Sequence, residues 1–191
     1  MKQISSYQYQ DIYKEMGIDM KGLYCVMLEL ETDDEMPEIP KEDQYFDETG
    51  KFTWVKGYVA KKGTMHCTLL YGLMDMVKKK HVEQVLKGWD AQIEIESIDN
   101  FDSPDKQEYY CIIGKVKLTE PLVNGHELCE LLPHINTFTK YTPHITLCYV
   151  KKNDETLSET KKKLRFLEGK RFKISHITYD NNSGYKKIVN V

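Results

Sequence analysis

The chain has 191 residues, of which 40% are hydrophobic and 30% charged, and its formal net charge is −3 at pH 7. This length suits one domain, or two small lobes that share a sheet. A slightly acidic chain lacks the basic excess of proteins that bind long nucleic acids. No apolar run reaches the length of a membrane span, and the polar start Met1-Lys2-Gln3 has no signal-peptide character. We therefore expect a cytoplasmic protein.

The cysteine content gives no sign of a disulfide framework. The count is odd, no CxxC pair is present, and most of the cysteines lie in apolar runs: Cys25, Cys67, Cys111, Cys129 and Cys148. This distribution is typical of reduced thiols that pack as small hydrophobic residues in a reducing compartment.

The first third of the chain changes character abruptly. Apolar residues at helical spacing predict an N-terminal helical extension within residues 1–21, and residues 22–30 form the first strand. The segment from Glu31 to Glu48 then holds nine acidic residues and a single lysine. The simpler interpretation is a solvated loop, and the alternative is a lid over a cleft. With a strand or hairpin arm at residues 51–59, residues 31–64 form an acidic loop and hairpin insertion in a main domain of residues 22–191.

The remaining two thirds alternate helices and strands. Strands are predicted up to Leu73 and at residues 91–96, 109–118, 172–179 and 185–191, and helices at residues 77–86, 127–132 and 154–167. Because several strands are joined by hairpins, the pattern predicts an α+β protein with a mixed or antiparallel sheet.

Two short motifs stand out in this pattern. His66-Cys67-Thr68-Leu69 and Pro143-His144-Ile145-Thr146-Leu147 each carry His and Thr two positions apart in a run that reads as a buried strand. Side chains alternate faces along a strand, so each His and Thr point the same way, while the apolar residues between and after them face the core. Two such copies indicate a duplicated unit whose polar faces meet at a shared cleft.

The doubled His-x-Thr motif resembles the 2H phosphoesterase superfamily, which includes LigT-like 2′-5′ RNA ligases and cyclic nucleotide phosphodiesterases. The resemblance spans residues 22–191 and implies a bilobal fold with helices outside, a central cleft, and catalysis by both motifs. The continuation Leu69-Leu70-Tyr71-Gly72-Leu73 is similar to phage-encoded members, some of which degrade the cyclic oligonucleotide signals of bacterial immunity (anti-CBASS). For a phage-encoded member, the expected location is the host cytoplasm. The chain departs from the family where Met65 replaces a proline and where the acidic segment replaces a helix.

The residue types suit metal-independent cleavage of a phosphodiester. Two imidazoles can take a proton from the attacking oxygen and give one to the leaving oxygen, without a cofactor. Hydroxyls such as those of Thr68 and Thr146 can bind the non-bridging phosphate oxygens. The near-symmetric motifs leave open which of His66 and His144 is the base. For a single copy, a core imidazole would be the better interpretation.

Other chemistries are weaker candidates. Cys148 is expected to share a strand face with His144 and Thr146, so a zinc site with His66 is conceivable, but CxxC or HExxH scaffolding is absent. A Cys-His nucleophile would leave the duplication unexplained. His81 is interpreted as helix packing, and the other three histidines as surface or loop residues: His126, His134 and His176.

Substrate contacts are predicted from residue type and position near the motifs. Aromatic rings could stack on bases, and lysines could meet phosphates, although packing or a solvated charge is the simpler interpretation for any one of them. The predicted substrate-binding residues are Trp54, Tyr58, Phe138, Lys140 and Tyr141.

The sequence thus predicts a 2H-type phosphodiesterase acting on a small nucleotide with a 2′-hydroxyl, and a cyclic oligonucleotide signal is the preferred substrate. The alternatives are processing of RNA ends, by hydrolysis of 2′,3′-cyclic phosphates or by 2′-5′ ligation, and a module that sequesters nucleotides without turnover. Neither a metal nor a membrane is expected as a partner, and long nucleic acid is disfavoured.

Overall fold

The structure, a computed structural model, describes residues 23–32, 37–45, 65–101, 109–136, 140–181 and 185–191. Within these ranges the strands are β1 (Tyr24–Leu30), β2 (His66–Leu73), β3 (Gln92–Phe101), β4 (Tyr109–Val116), β5 (His144–Lys151), β6 (Arg171–Asn181) and β7 (Lys186–Val189). The helices are α1 (Lys79–Val85), α2 (Glu120–Glu130) and α3 (Asp154–Leu164), and a 3-10 turn at Arg165–Leu167 follows α3. Among the described helices, none is long and apolar enough to cross a membrane.

The strands form one sheet that divides into two lobes. The order is β2-β1-β6-β3-β4-β5, with β7 also paired to β6, and all of these pairs are antiparallel. The lobes join where Gln92–Glu94 of β3 pair with Arg171–Lys173 of β6. The first lobe therefore comprises β1, β2, β6 and β7, and the second comprises β3, β4 and β5. The predicted α+β fold with two lobes is confirmed, and its described strand pairs are antiparallel rather than mixed.

The first His-x-Thr motif lies on β2, at one end of the strand order, and an irregularity follows it. Thr68 lies opposite Met27 of β1, whereas Leu70 lies opposite Val26. Leu69 is therefore an extra residue, and such a β-bulge changes which later side chains share a face with those before it.

The second motif repeats this irregularity at the other end of the order. Thr146 of β5 lies opposite Ile113 of β4, and Cys148 lies opposite Ile112, so Leu147 is the extra residue. Both motifs thus precede a bulge at the leucine that follows the threonine. The duplication seen in the sequence extends to strand position and register.

The core lies on the sheet face opposite the histidines. Cys67, Leu69, Ile145 and Leu147 are all 0% exposed, which confirms the predicted alternation around each motif. Helix α1 packs against β7, α2 packs against β2, and α3 packs against the second lobe. The helices thus cover the core side and leave the histidine-bearing face, here called the site face, to the chemistry.

Helix α2 begins earlier than predicted. The sequence pattern placed this helix at residues 127–132, but it spans Glu120–Glu130, with Thr119 as the N-cap residue. Pro121 lies in the first turn, where a missing N–H costs little. Gly125 is required inside the helix because a Cβ there would lie 2.4 Å from the Trp89 ring. The glycine and proline that suggested a loop therefore permit close helix packing.

The other described elements lie near their predicted positions, with shifted ends. Strand β3 continues to Phe101 instead of stopping at residue 96, and β6 extends to Asn181. Asn153 caps α3 by accepting hydrogen bonds from the amides of Glu155 and Thr156. The predicted N-terminal helix and the hairpin arm at residues 51–59 lie outside the described residues.

Part of the acidic segment runs along the second lobe. The amide of Tyr45 donates to the Tyr149 carbonyl, and the amide of Lys151 donates to the Asp43 carbonyl. Gln44 forms an isolated bridge with Val150. Residues 43–45 therefore continue the sheet beyond the free edge of β5, close to the second motif.

Candidate active site

The site face of the first lobe carries His66 and Thr68 at intermediate exposure. His66 lies opposite Glu29 of β1, and Glu29 lies opposite His176 of β6. A row of two imidazoles flanking a carboxylate therefore crosses the lobe. His176 itself is exposed and lies within a strand of this face. This position refines its interpretation as a surface or loop residue.

The second lobe presents His144 and Thr146 in the same way, again at intermediate exposure. Here His144 lies opposite Lys115 of β4, and Lys115 lies opposite Ser97 of β3. The lysine ammonium pairs with Glu96 Oε2 at 3.5 Å. The two histidines thus occupy equivalent places whose cross-strand neighbours have opposite charge.

A tyrosine completes each motif and was missed by sequence reasoning. Tyr71 lies opposite Cys25, and Tyr149 lies opposite Cys111. Each tyrosine therefore lies on the same face as the threonine of its motif. Simple alternation would place the residue five positions after the histidine on the opposite face of the sheet. Because the bulge adds one residue, the tyrosine lies on the same face as the histidine. The signal was present in the sequence, because both copies read His-x-Thr-Leu-x-Tyr.

The same bulge corrects the prediction for Cys148. This cysteine is 1% exposed, packs in the core and lies opposite Ile112, so it does not share the face of His144. Cys111 occupies the site face instead. Burial raises the pKa of Cys111 to about 11, although hydrogen bonds from the Tyr149 and Thr146 side chains favour the thiolate. Cys111 therefore links the threonine and tyrosine of the second lobe as a neutral thiol.

Contacts between β2 and β5 bring the two motifs together. The backbone of His144 forms a hydrogen bond with the Cys67 thiol, whose pKa burial raises to about 12. The Tyr141 hydroxyl donates to the Thr68 carbonyl at 3.4 Å, and its ring stacks on His126 with centroids 3.8 Å apart. These contacts fix the second motif against the first.

The structure places the predicted substrate-binding residue Tyr141 against His126. Tyr141, predicted to stack on a base, has one ring face covered by His126. His126, predicted to be a surface or loop residue, lies in α2. Its Nδ1 donates a hydrogen bond to the Leu69 carbonyl at 2.7 Å. Together, Tyr141 and His126 satisfy consecutive carbonyls of β2 at the bulge.

The electrostatics of His144 favour its neutral form. Burial lowers its pKa, the positive charge of His66 lowers it further, and a hydrogen bond to the Thr142 carbonyl opposes both effects. Because a carbonyl only accepts, His144 Nδ1 is the donor in that 3.0 Å bond. In neutral His144 the lone pair therefore resides on Nε2. The Phe101 ring lies perpendicular to the His144 imidazole, with the ring centroids 4.6 Å apart.

The first lobe has a different surrounding, made of buried polar groups. Glu29 accepts hydrogen bonds from Lys186 Nζ and from Thr178 Oγ1. Asp180 accepts from the Cys25 thiol at 2.7 Å. Burial raises the pKa of Asp180, while the Cys25 thiol and nearby positive charges, including that of His66, act in the opposite direction. Two carboxylates and one ammonium are thus gathered on this face.

The remaining predicted site residues are less informative. Lys140 is exposed and precedes Tyr141 in the segment that leads to the second motif. Trp54, Tyr58 and Phe138 lie outside the described residues. His81 caps α1, since its Nδ1 accepts from the Lys78 amide at 3.0 Å, and the His134 ring bonds locally to the Leu132 carbonyl and Asn136.

The described part of the chain offers little support for two other kinds of site. An apolar groove of about 480 Å³ lies between α1 and the end of α2, and it is lined by Met76, Val77, His81, Gln84, Val85, Leu132 and Pro133. Its single imidazole is already used to cap α1. Within the described residues, no group of three or more His, Cys, Asp and Glu side chains is arranged to hold a metal ion. The paired motifs therefore remain the candidate active site.

Comparisons with known proteins find similarity only to solved structures. No protein-family model matches the sequence, and no curated protein is significantly similar to it. Two similar solved structures are both of Usb1 from Kluyveromyces marxianus, one of them with uridine monophosphate. Each has a TM-score of 0.49 and 11% sequence identity, and each comparison covers 90% of this chain and 99% of the other chain.

Proposed function

We propose that this chain is a phosphodiesterase of the two-histidine type that cleaves a small nucleotide carrying a 2′-hydroxyl. The observation that supports this most strongly is the repeated hexapeptide His-x-Thr-Leu-x-Tyr. Both copies lie on strands with the same register and the same bulge, and contacts between these strands bring the motifs together. A pair of core histidines would not require such a match.

The chemistry follows from the two kinds of side chain. One imidazole removes a proton from the attacking oxygen, which is the 2′-hydroxyl or water, while the other protonates the leaving oxygen. The hydroxyls of Thr68 and Thr146 bind the non-bridging oxygens and stabilise the charge that develops on them. The half-buried position of all four side chains suits this role, because they combine a fixed geometry with access for a substrate.

The preferred substrate is a cyclic oligonucleotide of two or three phosphates, as in the phage-encoded members that the motifs resemble. Affinity for long RNA depends on many Lys and Arg contacts to phosphates. This chain is net negative, with 27 Lys and Arg residues against 30 Asp and Glu residues. Its net charge would repel a long polyanion, whereas a compact ligand needs only the motifs, Lys140 and a few rings for stacking.

A substrate panel tests the proposal. Purified protein is incubated with cyclic dinucleotides, cyclic trinucleotides, 2′,3′-cyclic mononucleotides and RNA oligomers, at two salt concentrations. We expect the cyclic oligonucleotides to be cleaved fastest, with a shallow salt dependence. Faster processing of RNA ends with a steep salt dependence would favour the RNA-end alternative. Tight binding without turnover of any member would leave a sequestering module.

A further inference from the structure

The two lobes differ most in the charge beside each histidine. In the first lobe, Glu29 lies opposite His66. Asp180 lies on the same face and interacts electrostatically with His66. In the second lobe, Lys115 lies opposite His144, whose imidazole is packed against Phe101. A duplicated motif thus carries an electrostatic difference that its sequence does not show.

We infer that His144 is the general base and His66 the general acid, and that Glu29 and Asp180 are positioning residues that keep the proton on His66. This inference rests on the proposed function. Carboxylates stabilise a nearby imidazolium, whereas partial burial and a second cation nearby both favour the neutral imidazole. His144 Nδ1 donates to the Thr142 carbonyl, which leaves Nε2 as the proton acceptor.

The charged groups around each histidine support the same direction. Around His66 they are Glu29 from β1, Asp180 and His176 from β6, Lys186 from β7 and His144 from β5. Lys186 is bound to Glu29 and offsets part of its charge. Around His144 they are Lys115 from β4, Glu96 and Asp99 from β3, and His66 from β2. Lys115 pairs with Glu96 at 3.5 Å and Asp99 pairs with Lys161 at 3.1 Å, so both charges are already compensated. Around His66, two carboxylates face one ammonium, so the excess of negative charge lies in the first lobe.

The proton balance of the step is simple. His144 Nε2 takes the proton of the attacking hydroxyl, and a new P–O bond forms. The bond from phosphorus to the leaving oxygen breaks, and His66 gives its proton to that oxygen. The enzyme then holds neutral His66 and protonated His144, and proton exchange with water restores the starting state.

A pair of esters that differ only in the leaving group separates the two roles. The dinucleotide adenylyl-3′,5′-adenosine has an alkoxide leaving group that needs a proton, whereas adenosine 3′-(4-nitrophenyl phosphate) has one that leaves without it. We expect His66→Ala to lose about 10²-fold or more on the dinucleotide but less than about tenfold on the nitrophenyl ester. His144→Ala should lose activity on both. Retention of nitrophenyl activity by His144→Ala instead would reverse the assignment.

The positioning residues are tested by pH profiles on the dinucleotide. Glu29→Gln and Asp180→Asn should each lower turnover at alkaline pH by up to about tenfold, which corresponds to a shift of about one unit in that limb. Lys186→Gln should move the alkaline limb in the opposite direction. The control Glu83→Gln, a carboxylate of α1 that pairs with Lys79, should leave the limb unchanged. If Glu29→Gln fails to fold, Asp180→Asn and Lys186→Gln still test the role of the carboxylates. An alkaline limb that stays in place in both of these variants would overturn that role.

A measurement without substrate keeps this inference separate from the proposed function. NMR titration of the labelled histidines in the intact protein reports which imidazole becomes charged first as the pH falls. We expect His66 to charge before His144, and the reverse order would overturn the inference. Absence of turnover on every phosphodiester, together with the expected order, would instead refute the proposed function alone.

Discussion

The two lobes share a backbone plan but surround their histidines with different chemistry. Each presents His, Thr and Tyr on a strand with a bulge after the threonine. The first lobe then packs Glu29, Thr178 and Asp180 on the same face, all of which are buried. In the equivalent positions the second lobe places Lys115, Asp99 and Phe101, respectively. The difference teaches that a repeat can conserve the placement of a catalytic group while its neighbours set that group's role.

The largest expected effect comes from removing either histidine. His66→Ala and His144→Ala should each lower turnover of a cyclic oligonucleotide by about 10²–10⁴-fold, because each removes one proton-transfer step. The double variant should be little worse than either single variant, since the residues act as a unit. Steady-state kinetics measures all three.

His81→Ala serves as the control for these variants, because its imidazole caps α1 away from the motifs. Circular dichroism should show that every variant is folded. Near wild-type turnover in either motif variant would mean that the lobes are not catalytic partners.

The threonines should show a smaller effect that is similar in both lobes. Thr68→Val and Thr146→Val keep the side-chain shape but remove a hydroxyl that stabilises phosphate charge, and we expect about 10²–10³-fold lower turnover. Serine in place of each threonine should restore most of the activity. Thr142→Val is the control, since Thr142 is exposed and contacts His144 through its carbonyl. A large loss confined to one lobe would show that the lobes bind the phosphate unequally.

The tyrosines should affect binding more than turnover. If Tyr71 and Tyr149 stack on the bases that flank the phosphate, alanine at either position should weaken binding by about 1–3 kcal/mol. Phenylalanine should preserve the stacking and most of the affinity. Tyr149→Phe also removes the hydrogen bond from its hydroxyl to Cys111. Calorimetry with a slowly cleaved analogue measures these differences, and unchanged affinity in both alanine variants would exclude stacking.

Chelation should have the smallest effect. Because both imidazoles act directly in the proposed mechanism, turnover should survive prolonged treatment with EDTA and show no dependence on added Zn²⁺. Loss of activity on chelation with recovery on addition of Zn²⁺ would contradict the two-imidazole mechanism and indicate a Lewis-acid role instead.

Sequence reasoning succeeded where one strand period governed the side chains. Alternation placed His66 and Thr68 on one face and Cys67 and Leu69 on the other, as the structure confirms. It failed one residue later, because a bulge inserts a residue without any change in composition. The predicted face of Cys148 is therefore wrong, and Tyr149 is missed as a residue of the site face.

The neighbours of the histidines could not be predicted for a different reason. Glu29 and Asp180 are about 150 residues apart in sequence, and strand pairing alone brings them to the same face. A single sequence contains no signal for that pairing. The start of helix α2 is predicted wrongly because glycine usually interrupts a helix. At Gly125 it instead makes room for the Trp89 ring, a contact that the sequence does not show.

The strand order also has a consequence for how the protein is made. The second lobe is built from β3, β4 and β5, which are consecutive in the chain. The first lobe instead needs β6, to which β7 is added, to pair with β1, which is synthesised about 150 residues earlier. Long-range pairing is slow because the loop must be closed before its contacts form. During synthesis, the second lobe can fold while the first is still incomplete. The first histidine thus emerges early from the ribosome but acquires Asp180 and Lys186 among its last neighbours.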